Sequence, residues 1–185
     1  MLRTLKSASQ SALESSSRSL MEILLMPRYM LAVAAGVVSY GLMAFVMTAS
    51  PIAMVNTGHS VDSAARGIQW QLLAMFAPSF VTGRLMTRFG KERVTAAGML
   101  LIAVSAVVAL AGLELINFWG SLAIMGIGWN FSFIGATAMV TDCHTPGERA
   151  KAQGANDFMV FGATAAVSFL AGSVLHSSGW ATINW

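Results

Sequence analysis

Charge is what this sequence has least of: Asp, Glu, Lys and Arg make up 10% of its 185 residues, against 56% hydrophobic ones. A soluble domain carries about 25% charged residues, and a soluble helical bundle repeats a polar face about every 3.6 residues, where Lys, Glu or Arg cost nothing. No such charged face is present, so water is not the main solvent. Cysteine occurs once, at Cys143, which excludes an intrachain disulfide framework and a cysteine-based zinc site. His144 beside it has no convergent third ligand, so neither a metal nor another cofactor is expected. An HExxH run, a GxSxG run and a carboxylate pair within the apolar stretches are all missing, which argues against a membrane-embedded enzyme. Rings of like groups or a re-entrant filter loop, which a channel needs, are missing too.

What is present is a series of uncharged stretches: Tyr29 to Val61, Gly67 to Gly83, Val94 to Leu113, Leu115 to Thr141 and Phe158 to Trp185. Each approaches or exceeds the roughly 20 apolar residues that cross a hydrocarbon core. Open strands would leave unpaired backbone groups in lipid, and the alternation of a membrane barrel is absent, so helices are expected. The fold class is all-α, a polytopic bundle of about five spanning helices near 28–55, 66–86, 93–114, 118–141 and 155–176.

The formal charge of +3 does not mark a nucleic-acid binder, because the basic residues lie between the apolar runs instead of forming one patch. Ten of the eleven fall on alternate connections: Arg3, Lys6, Arg18, Arg28, Arg84, Arg88, Lys91, Arg93, Arg149 and Lys151. Arg66 alone occupies the other side. Positive charge is retained in the cytoplasm, so the N-terminus is expected there, in the cell membrane of the host. Trp70, Trp119, Trp180 and Trp185 then collect near the outer interface, where indole rings are favoured.

Residues 1–26 read as a flexible, basic, Ser-rich cytoplasmic linker. Arg3, Lys6 and Arg18 share features with a transit peptide, but Glu14 and Glu22 oppose that reading, and no secretory h-region is seen. Residues 27–185 read as a transmembrane half-domain that lacks a final helix.

The run Gly83-Arg84-Leu85-Met86-Thr87-Arg88-Phe89-Gly90-Lys91-Glu92-Arg93 resembles the cytoplasmic loop motif G-x-L-a-D-r-x-G-r-k of the major facilitator superfamily. Thr87 stands where that motif usually has Asp. The run Pro146-Gly147-Glu148-Arg149-Ala150-Lys151-Ala152-Gln153-Gly154 resembles the family's P-x-E-R-x-x-x-x-G connection. The resemblance covers nearly everything from Pro27 onward and matches the family's seventh to eleventh helices. It implies half of an alternating-access transporter for a small solute, whose N-terminal half is a missing partner. It also implies that Gly83, Arg84, Arg88, Gly90, Lys91, Arg93, Glu148, Arg149 and Asp157 belong to the cytoplasmic gate. The alternatives are a truncated, inert membrane fragment or a membrane protein that does not transport.

A carrier needs a polar cavity near the midplane and helices that can bend. Tyr40, Met43, Met47 and Ser50 share a face that ends at Pro51; Gln71, Ser79 and Thr82 share one with Pro78. Gln71 either lines a cavity or bonds a neighbouring helix. Gly126-Ile127-Gly128-Trp129-Asn130 puts an indole and an amide at mid-membrane, where they contact substrate or pack. Asn156 and Asp157 stand at the expected start of the last helix, followed by Phe161, Thr164 and Ser168, and Asp157 either caps that helix or meets the other half. The third helix, with only Thr95 and Ser105 as polar side chains, is expected to face lipid. The cavity set is therefore Tyr40, Met47, Gln71, Trp129, Asn130 and Phe161. With no central charge, this lining suits a neutral or amphipathic solute, and any proton-coupling acid belongs to the other half.

Overall fold

Ser19 and Glu22 form a capping box. The Ser19 hydroxyl accepts from the Glu22 N–H at 3.3 Å and the Glu22 carboxylate accepts from the Ser19 N–H at 3.0 Å, which starts the short helix α1 (Leu20–Leu24). The computed structural model describes residues 18–184, with side chains through residue 170. Residues 1–17 of the expected linker lie outside the described residues. The rest of that segment departs from a free linker: α1 buries Ile23 against Tyr29, Val140 and Ala152.

Pro27 opens α2 (Pro27–Asn56), where its missing N–H is not needed. Pro51 lies inside this helix without ending it. At about 1.5 Å per residue its 30 residues exceed a hydrocarbon core of about 30 Å.

The expected single helix over 66–86 is corrected. It begins earlier and is two segments, α3 (Val61–Phe76) and α4 (Ser79–Phe89). Pro78 has no N–H to offer the carbonyl four residues back. Ala77 N–H donates to Leu73 O at 2.8 Å, and Val81 and Thr82 N–H converge on Pro78 O at 2.8 and 2.9 Å. Ala77 and Pro78 keep right-handed helical backbone angles, so the break is a bend in one rod.

Gly90 then turns the chain at φ +90° and ψ 151°, a conformation closed to other residues. It is followed by α5 (Lys91–Leu110), α6 (Leu115–Thr141) and α7 (Arg149–Asn184). Among the described residues α2, α5 and α6 are long and apolar enough to cross a membrane. The rod of α3 and α4 reaches such a length only as the bent pair.

Helix α6 is the hub, packing on α5, α3 and α2. Its closest neighbour is α5: a Cβ on Gly98 would fall 2.6 Å from Gly128 O and 2.9 Å from Ser132 Cα. Small residues let backbones approach where lipid offers no hydrophobic drive. The opposite face of α5 exposes Leu100, Val104 and Val107, while its only two hydroxyls, on Thr95 and Ser105, turn inward. Near the start of α6 Trp119 is half-buried and donates to Ser63 O at 3.0 Å, so it staples α6 to α3. Trp70 is 54% exposed; the side chain of Trp180 and the whole of Trp185 lie outside what is described.

Candidate functional site

The bend at Pro78 leaves the last carbonyls of α3 without intrahelical donors, and α6 supplies one. Asn130 is fully buried and donates through Nδ2 to Met75 O at 2.6 Å and to Ser79 Oγ at 2.7 Å. Its Oδ1 accepts from the Thr82 hydroxyl at 2.6 Å. One amide thus bridges both sides of the break, with each N–H and the carbonyl oxygen in use.

A cluster of rings lies beside this bridge. Trp129 and Phe133, one turn apart on α6, stack with centroids 5.1 Å apart and planes 15° apart. Tyr40 of α2 meets Trp129, Phe133 and Phe161 edge-on at 5.7, 5.0 and 5.4 Å. Phe76, at the end of α3, approaches Trp129 at 6.4 Å. Met43, Met47 and Met75 pack around Trp129. Phe76 is 60% and Phe161 51% exposed, so the cluster reaches the surface of the chain. By contrast, the groove of about 440 Å³ between α2 and α5 is lined by apolar side chains alone, among them Val38, Leu42, Met99 and Ile102.

Of the sequence-derived cavity residues, Tyr40, Met47, Trp129 and Phe161 converge on this cluster, and Asn130 turns away from it toward the bend. Gln71 is fully buried one turn before Met75, and neither of its amide atoms has a hydrogen-bond partner. The indole N–H of Trp129 is also without one. Burying such a group unpaired costs about 1–3 kcal/mol on protein scales. Sequence reasoning missed Phe133 and Phe76; the i, i+4 spacing of Phe133 from Trp129 was the available signal.

The end of the bundle that carries the N-terminus of α2 is an ionic mesh. Glu148 accepts from the Arg18 Nε and backbone N–H at 2.9 and 2.8 Å through one oxygen, and from Arg18 Nη2 at 2.7 Å and Thr145 N–H at 2.9 Å through the other. The Arg18 guanidinium, aided by the Thr145 N–H, holds this carboxyl far below the usual carboxylate range despite its burial. Arg18 also donates to Cys143 O at 3.1 Å. Lys91 donates to Asp142 at 2.6 Å and to Ala138 O at 3.1 Å. Arg28 reaches Glu92 at 2.7 Å and Asp142 at 3.5 Å.

Other motif residues are placed differently. Arg84, Arg93, Arg149 and Asp157 are exposed, and Arg88 lies over the Phe89 ring at 5.2 Å. Gly83 has nothing within 4 Å of where a Cβ would stand, so it makes no close contact within this chain. Thr87 donates back to Arg84 O at 2.9 Å; the carboxylates that pair with Arg28 and Lys91 are those of Glu92 and Asp142. The capping role open to Asp157 is corrected. Because α7 starts at Arg149, Asp157 lies two turns inside it and accepts from Asn156 Nδ2 at 3.1 Å. Among the described residues no three His, Cys, Asp or Glu side chains converge, and burial pushes the Cys143 thiol up.

Comparison with known proteins gives this arrangement a context. The model of the Major Facilitator Superfamily matches residues 26–185. The chain is 68% identical to the riboflavin transporter RfnT of Brucella anthropi over 95% of its own length and 44% of that protein's. It is 34% identical to the MFS-type transporter YddS of Bacillus subtilis, over 74% of the chain and 32% of YddS, and 31% identical to YdeG of the same organism, over 77% and 34%. The chain therefore spans less than half the length of these relatives. No solved structure matches. An all-helical, multi-pass membrane chain whose relatives are transporters and not enzymes, it belongs to the Major Facilitator Superfamily.

Proposed function

We propose that this chain is the C-terminal half of a riboflavin transporter that works by alternating access in the cell membrane, with the N-terminal segment in the cytoplasm. The observation that carries the substrate reading is the 68% identity to a riboflavin transporter across 95% of the chain. The ring cluster supports it, because Trp129 and Phe133 are already stacked and Tyr40, Phe76 and Phe161 set edges around them. Such a cluster suits a flat aromatic solute. The cavity is completed by a preceding half, joined through the segment before Pro27. Movement of one half against the other exposes it to each side in turn. The mesh around Glu148, Lys91 and Asp142 braces the cytoplasmic end, where the exposed Arg84, Arg88, Arg93, Arg149 and Asp157 are available to meet that half.

Counterflow of labelled riboflavin into proteoliposomes tests this whatever the direction of net transport. The full-length transporter containing this chain is expected to exchange labelled for unlabelled riboflavin. The 185-residue chain alone is expected not to. Failure of the full-length protein to exchange riboflavin while correctly inserted would overturn the substrate reading, and exchange by the isolated chain would overturn the reading of it as a half.

A further inference from the structure

Eleven polar side chains are buried among the described residues, and ten of them are bonded. Ser39, Ser50, Thr95, Ser105, Ser121 and Ser132 each reach a carbonyl of their own helix. Thr82 and Asn130 bond each other, Glu148 holds Arg18, and Asn156 holds Asp157. Gln71 is the exception, with both donor and acceptor unpartnered. Trp129, the ring at the centre of the cluster, shares the condition through its N–H. A bundle that satisfies every other buried polar side chain and leaves these two is organised for a partner from outside.

The two belong to one seam. The backbone of Gln71 meets α6 at Gly126, whose absent Cβ would fall 2.7 Å from the Gln71 main-chain O, and its side chain is fully buried there. One turn further along each helix, Met75 and Trp129 pack together. A carboxamide presents an acceptor and a donor side by side, and its complement is any donor beside an acceptor, as when Asn and Gln read the amino group and ring nitrogen of adenine; an N–H beside a carbonyl serves equally. The isoalloxazine ring of riboflavin carries that complement at its imide edge, where one N–H lies between two carbonyls. Its flat faces are suited to the stacked indole and phenyl rings.

Resting on the flavin reading above, we propose that Gln71 is the specificity-determining residue that reads the imide edge of the flavin ring, with the Trp129 N–H as a second donor to the same edge. Asn130 takes no part, since its amide is consumed at the bend. Gln71 has no exposure in this conformation, so contact requires α3 to move on α6. Pro78, two turns away, removes one rung of the backbone ladder and gives that movement a hinge.

The test compares riboflavin with riboflavin methylated at the imide nitrogen, in counterflow by the full-length transporter. Wild type is expected to prefer riboflavin by about tenfold or more, because a site built to hydrogen-bond a group rejects an analogue that lacks it. Gln71→Met, which matches the volume and removes an unpartnered amide, is expected to insert at wild-type abundance and to discriminate less than about twofold, with the loss in KM for riboflavin. Trp129→Phe, which keeps a ring and removes the donor, is expected to fall between the two. Equal discrimination by wild type and Gln71→Met would overturn the assignment while leaving riboflavin transport standing. Wild type that exchanges no riboflavin would overturn the flavin reading and this inference with it.

Discussion

Replacing Asn130 by Ala removes the bridge across the Pro78 bend, and the structure sets the size of the effect. Three hydrogen bonds go, at 2.6, 2.7 and 2.6 Å. They are not equivalent. Ser79 is exposed and finds other partners, and Thr82 retains Pro78 O at 2.9 Å. Met75 O loses its Asn130 donor in the interior. An unsatisfied buried carbonyl costs about 1–3 kcal/mol, and each interhelical bond in a membrane protein contributes roughly 0.6 kcal/mol on average. The expected destabilisation is therefore about 2–4 kcal/mol. Unfolding of the full-length transporter in mixed micelles, followed by the fluorescence of the adjacent Trp129, measures it, with riboflavin KM determined on the same preparations. The structural role predicts lost stability and an almost unchanged KM for the protein that remains folded. Stability within about 0.5 kcal/mol of wild type together with a tenfold higher KM would refute the reasoning, because Asn130 would then be using its amide on the solute.

Gly98→Ala is expected to lower stability by about 1–3 kcal/mol, since its Cβ would enter the backbone of α6 and neither helix can yield locally. The control is Gly83→Ala, a motif glycine with open space around it, which should leave stability unchanged or slightly raised. Arg18→Glu should free the segment ahead of α2, read as faster proteolysis near α1, and the exchange Arg18→Glu with Glu148→Arg should restore protection. Because the folded Glu148 carboxyl titrates below its ordinary value of 4.5, its contribution is fully present above that value. Protection in wild type should therefore hold constant from neutral pH down to about 4.5 and fall only below it.

The apolar runs were long enough for the sequence to yield an all-helical chain, because a hydrocarbon core leaves few other solutions for about 20 uncharged residues; among the described residues three helices are long and apolar enough to cross it. Most of the departures share one physical origin, contacts between residues far apart in the chain. Pro78 was visible, but whether a proline ends a helix or bends it depends on what holds the freed carbonyls, and that partner is Asn130 on another helix. The start of α7 was placed late because Arg149 to Gly154 look like a loop. They form a helix that continues beyond the apolar span, entered through a turn in which Glu148 N–H donates to Thr145 O at 3.1 Å and Thr145 N–H to the Glu148 carboxylate at 2.9 Å. Arg18 read as one more linker charge; its partner lies 130 residues away. Asp142 drew no notice, although it pairs with both Lys91 and Arg28.

Polarity within an apolar sequence was therefore an incomplete guide to the site. Gln71 and Asn130 looked alike as amides in predicted spans, and each was open to cavity lining or helix pairing. Packing separates them by what each already holds. Asn130 has three partners and repairs the backbone defect that Pro78 creates just before α4 begins, so releasing it to a solute would reopen that defect. Gln71 has none, so a solute bound there displaces no hydrogen bond of its side chain and removes a desolvation cost the folded chain otherwise carries, although α3 must shift on α6 to admit it. The same distinction applies to the serines and threonines, whose hydroxyls bond their own helices and have little left to offer. On the carrier reading proposed above, the residue left unpaired is the one with most to gain from a bound solute. A gain that differs between conformers is what a transported molecule must supply to shift their populations.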